Sequence, residues 1–85
     1  MTQELDRNKT EGERKRVGAT IRALREARGA NADQLANKIG ISRPYLANIE
    51  AGRRGLRPEL LPKVADALGV PQIAIMWTDY NNTAA

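Results

Sequence analysis

The sequence predicts an all-α domain, and three recurring observations predict it. Apolar residues repeat at helical rather than strand spacing, as in Val17, Ile21 and Leu24, in Leu35 and Ile39, and in Leu46 and Ile49. Glycines punctuate these stretches at Gly29, Gly40, Gly52 and Gly69, where a chain leaving a helix takes a left-handed turn. Residues suited to a helix start stand in front of them: Asn31, Ser42, Pro58 and Pro71.

In chain order, residues 1–12 carry mixed charge and almost nothing to bury, which reads as a flexible leader. Residues 13–28 form the first helix, with Val17, Ile21 and Leu24 as its stripe. The second covers residues 32–39 behind the cap Asn31. The third starts within a residue of Ser42, tolerates Pro44 in its first turn, and stops at Gly52. Near Pro58 a fourth begins, with Glu59 at its positive end and Leu60, Leu61, Val64 and Leu68 turned inward. Pro71 opens a short fifth helix in which Ile73 and Met76 join the core while Ile75 points elsewhere. The folded domain is expected to span residues 13–78, followed by a disordered tail over 79–85.

Composition removes several functional classes. Eighty-five residues make one domain near the lower edge of what an apolar core alone can hold. Without cysteine or histidine there is no disulfide framework, no Cys or His metal site, and no Ser-His or Cys-His nucleophile. No enzyme and no cofactor is therefore expected. No apolar run approaches a membrane span or a signal-peptide core, which makes the cytoplasm the default location. Fourteen basic against ten acidic residues give a net charge of +4, a balance that suits a polyanionic partner. The excess is concentrated: Lys38, Arg43, Arg53, Arg54, Arg57 and Lys63 face only Glu50 and Glu59 over the same stretch.

The stretch from Gly40 to Gly52 organises the rest. A helix stop, a cap, a two-sided helix and a second stop follow within thirteen residues. Leu46 and Ile49 share one face of the helix, and Arg43, Pro44, Ala47 and Asn48 fall together on another. Two helices about three residues apart, the second short with an outward polar face, make the helix-turn-helix arrangement. Leu35-Ala36-x-x-Ile39-Gly40-Ile41-Ser42, Leu46-x-x-Ile49-Glu50-x-Gly52 and Ala65-x-Ala67-Leu68-Gly69-Val70 together resemble the phage repressor and Cro family, over roughly residues 16–77. That resemblance implies a compact five-helix bundle of the lambda-repressor-like type, working as a homodimer on two-fold symmetric double-stranded DNA, with its third helix in the major groove.

Carried over residue by residue, the resemblance gives Arg43, Pro44, Ala47 and Asn48 the base-facing positions. Arg43 has the fork that fits guanine O6 and N7, and Asn48 can pair with adenine N6 and N7. Ala47 and Pro44 suit thymine methyls. Arg53, Arg54 and Arg57, in the loop after this helix, are expected on phosphates, together with Ser42, Tyr45 and the helix start at Ala32. The family often has glutamine where Ala32 stands, so one side-chain phosphate contact is missing here. By alignment Arg25 pairs with Glu50 as a structural pin, since a carboxylate on the inward side of the reading helix needs a partner.

Two places carry alternatives. The leader is either an unstructured terminus or an arm whose Arg7 and Lys9, with Arg14, Lys15 and Arg16 behind, reach the DNA; Glu4, Asp6, Glu11 and Glu13 argue against the arm. Ile75 and Trp77 form either a patch for a two-fold partner or, for Trp77, a lid on the core. The expected function is a sequence-specific transcriptional regulator, a repressor, cytoplasmic and on the nucleoid when bound. The rival is an antitoxin or other protein-interaction module whose toxin or protein partner meets the Trp77 end.

Overall fold

The computed structural model describes residues 10–76. Five α-helices follow one another among them: α1 (Glu11–Ala27), α2 (Ala32–Ile39), α3 (Arg43–Glu50), α4 (Leu61–Leu68) and α5 (Gln72–Met76), with a turn of 3-10 helix at Pro58–Leu60. The first helix begins earlier than its apolar stripe suggests. Thr10 Oγ1 accepts the Glu13 amide at 3.2 Å, which caps the helix ahead of Glu11.

The remaining boundaries follow local chemistry. Gly40 and Gly69 take left-handed conformations at the ends of α2 and α4, with φ of 78° and 70°. The expected single helix from Pro58 is instead a 3-10 turn followed by α4. In a continuous α-helix Pro62 would owe an amide hydrogen to the Pro58 carbonyl, which proline lacks. The Leu61 amide donates to that carbonyl instead, and Pro62 then falls in the first turn of α4, where no donor is needed.

The core collects Val17 and Ile21 from α1, Leu35, Ala36 and Ile39 from α2, and Leu46 and Ile49 from α3. Val64, Ala65 and Leu68 join from α4, with Leu60 before it and Leu56 from the loop. Leu24 and Leu61 are only partly buried against this cluster.

The expectation for α5 holds for Met76, which packs partly buried against the core, and is overturned for Ile73 and Ile75. Ile75 is fully buried at 0 % exposure, whereas Ile73 is 37 % exposed. Two residues apart on a helix lie on opposite sides, so one turning inward sends the other out. Arg16 ties this end of the chain to α1: its guanidinium donates to the Met76 carbonyl and to Glu13 at 2.7 Å. Ile75 is therefore core and not part of a partner patch; Trp77, the leader arm's Arg7 and Lys9, and the tail lie outside the described residues.

Candidate nucleic-acid interface

Two caps fix where α2 and α3 begin. At the start of α2, Asn31 Oδ1 accepts the Gln34 amide at 2.8 Å and Gln34 Oε1 accepts the Asn31 amide at 2.9 Å, a reciprocal capping box. Ala32 follows, half-buried. After Gly40, Ser42 Oγ accepts the Tyr45 amide at 3.1 Å and sets the first residue of α3 at Arg43. Part of Ser42's acceptor capacity is thus spent inside the protein.

The position of α3 is set from behind. Leu46 and Ile49 are 0 % and 1 % exposed, so the helix cannot turn about its axis without exposing them. At its C-terminal end Arg25 grips Glu50 with both arms of the fork, Nε to Oε2 at 2.8 Å and Nη2 to Oε1 at 2.9 Å. Arg25 Nη1 also donates to the Ala30 carbonyl at 3.1 Å, so one side chain joins α1, the α1–α2 turn and α3. The hydrogen bond to Glu50 raises the Arg25 pKa above the usual arginine value despite the burial that opposes it.

A contact that sequence reasoning missed adds to this. A Cβ at Gly18 would stand 2.2 Å from the Ile49 carbonyl oxygen and 2.6 Å from that of Glu50. Only glycine lets α1 cross the end of α3 this closely. Just beyond, Gly52 is buried with φ 82°, and Arg14 Nε donates to its carbonyl at 3.1 Å.

On the opposite side, Arg43, Pro44 and Ala47 are exposed, Asn48 is half-exposed, and Tyr45 is half-buried. The loop arginines divide. Arg53 Nε donates to Asn48 Oδ1 at 2.9 Å, and Arg54 lies over the Tyr45 ring, 5.7 Å from its centroid. Arg57 turns instead to Glu59, Nη2 to Oε2 at 2.8 Å. The Glu59 carboxyl is held below the usual range chiefly by its own backbone amide, with Arg57 adding to the effect. A carboxylate the sequence had not singled out, Asp33 in the first turn of α2, stands 3.7 Å from Arg43 Nε. Of the residues expected at the interface, the fold joins Asn48 with Arg53 and Tyr45 with Arg54, while Arg57 pairs locally.

This arrangement has known counterparts. Residues 16–75 match the family described as helix-turn-helix domain. The chain belongs to that family, in its phage repressor and Cro branch. Among relatives of this helix-turn-helix protein are the HTH-type transcriptional repressor RghR of Bacillus subtilis, 39 % identical over 61 residues, and the immunity repressor of Bacillus phage phi105, 43 % identical over 60. Each alignment covers 71 % of this chain but only 45 % and 42 % of the relative, so the chain spans less than half the length of either. Among solved structures, the restriction-modification controller protein C.AhdI of Aeromonas hydrophila superposes with a TM-score of 0.72 at 28 % identity, over 75 % of this chain and 97 % of that one. No helix among the described residues is long and apolar enough to cross a membrane, and no cluster of His, Cys, Asp or Glu there could hold a metal ion.

Proposed function

We propose that this helix-turn-helix protein is a sequence-specific regulator of transcription, a repressor, that binds an inverted-repeat operator in double-stranded DNA as a homodimer with α3 in the major groove. The observation that carries the reading is the two-sidedness of α3. Its inner face is fully buried and clamped by Arg25, while Arg43, Pro44, Ala47 and Asn48 stand together on the outside. A short helix held rigidly from behind, with a donor-rich outer face, is what reading base edges requires.

Arg53 and Arg54 supply cationic charge at the C-terminal end of that face, where a helix in the groove passes the sugar-phosphate backbone. The relatives named as repressors support the direction of regulation. The reading implies a protein of the cytoplasm, on the nucleoid when bound. The interior position of Ile75 removes it both from the apolar patch expected for a two-fold partner and from the surface expected for the rival interaction module.

Selection of bound duplexes from a random pool at near-physiological salt tests the proposal. An enriched inverted repeat, bound as two chains per duplex by sedimentation, supports it. Binding without sequence preference that vanishes as salt rises would reduce the basic face to generic affinity and remove the operator.

A further inference from the structure

We infer that Arg53 is a positioning residue for Asn48, and that the pair reads a guanine rather than the adenine to which a lone asparagine is suited. The inference rests on the proposed operator binding and deepens it. A guanidinium carries only donors, so the Asn48 side-chain amide must turn its oxygen, not its nitrogen, toward Arg53. The 2.9 Å contact from Arg53 Nε therefore fixes which way round the amide sits.

The link is closed twice. The Arg53 backbone amide donates to the Asn48 carbonyl at 2.9 Å, and the Arg53 side chain returns to the Asn48 side chain. The turn between them is held as well. Gly52 has φ 82°, a Cβ there would come 2.6 Å from Lys15, and Arg14 binds the Gly52 carbonyl. From this held turn the exposed Arg53 side chain runs back over the end of α3 to Asn48.

Pairing with adenine needs both ends of an asparagine amide: the oxygen accepts from N6 and the nitrogen donates to N7. Here the oxygen is already engaged, and a positive charge beside it opposes the approach of a second donor. What remains outward is the amide NH2, polarised by the same guanidinium into a better donor. An outward NH2, with the oxygen's remaining lone pair held beside a cation that disfavours a second donor, suits the guanine edge, where O6 and N7 both accept, better than the adenine edge.

The test compares the wild type with Asn48→Ala, Arg53→Ala and Arg53→Lys on the operator obtained by selection, with thermal melting as a check that each variant folds. The base pair whose preference Asn48→Ala erases should be G·C. Replacing its guanine by 7-deazaguanine, which removes the N7 acceptor, should weaken the wild type and leave Asn48→Ala unchanged. Arg53→Ala should lower guanine-over-adenine discrimination at that pair by about tenfold. Arg53→Lys, which keeps a donor, should restore part of it. An A·T pair at that position, or an Arg53→Ala variant weakened evenly on every sequence, would overturn the coupling while leaving the operator reading intact. Failure of the wild type to enrich any sequence would remove both.

Discussion

Gly18 in α1 lies directly against the Ile49 carbonyl of α3, with no room between the two backbones for a methyl group. The reading helix is therefore seated by a backbone-to-backbone contact as well as by side chains. Gly18→Ala should destabilise the domain by about 3 kcal/mol, because neither carbonyl can move without dragging Leu46 and Ile49 with it. Gly12, in the first turn of the same helix, has nothing within 4 Å of the point where a Cβ would stand. Gly12→Ala should leave stability unchanged or raise it by about 0.5 kcal/mol. Urea denaturation of the two variants side by side checks both signs.

Arg25 and Glu50 make the second support. Their side chains are 12 % and 9 % exposed, so removing one partner strands the other in a nearly dry position. Arg25→Ala is expected to lose about 3 kcal/mol of stability. Arg25→Lys should recover little, since an ammonium cannot reproduce the two parallel hydrogen bonds to Glu50 and the third to Ala30. Chemical denaturation of both variants measures this, and full recovery by lysine would show that charge rather than the fork matters. The raised Arg25 pKa has a definite sign: its contribution is complete below the ordinary arginine value and is lost only as pH rises through the still higher folded one. The contribution of the Arg25 charge should therefore not change with pH anywhere in the neutral range.

Much of this architecture is legible in the sequence, and the parts that are not share a cause. The bounds of α2, its cap Asn31 and the left-handed Gly40 depend on neighbours within four residues, so local chemistry fixes them. The Arg25–Glu50 clamp crosses 25 positions and is expected only through the family resemblance. Gly18 looks like any glycine inside a helix until α3 is laid across it. Leu56 sits in a glycine- and arginine-rich loop whose composition says surface, yet it is 4 % exposed because the loop folds back over the core. In α5 a five-residue pattern with Ile73, Ile75 and Met76 fits two opposite orientations, and the choice depends on packing against residues distant in sequence, such as α1, whose Arg16 binds the Met76 carbonyl 60 residues on. The loop arginines are legible as a cationic cluster, but their division between Asn48, Tyr45 and Glu59 is not.

Asp33 and Arg43 bear on specificity from another side. Both are about two-thirds exposed, at 64 % and 66 %, and a carboxylate on this face repels the phosphates of any duplex brought against it. Asp33→Asn is expected to tighten binding to operator and random duplex alike, by roughly two- to fivefold at low salt, and so to leave less discrimination between a true site and background. Titration against both duplexes measures it. Unchanged affinity would show that Asp33 lies clear of the DNA.

If α3 reads bases while the loop behind it holds the backbone, one comparison separates the two roles. Arg43→Ala and Arg54→Ala are titrated against the selected operator and a scrambled duplex at the same salt. Arg43→Ala should lose about 1–3 kcal/mol on the operator and little on the scrambled sequence, relaxing preference at one base pair. Arg54→Ala should weaken both duplexes alike and lower the salt dependence by about one unit. Equal losses on both duplexes for Arg43→Ala would contradict this division of labour, since the outer face of α3 would then touch DNA without reading it.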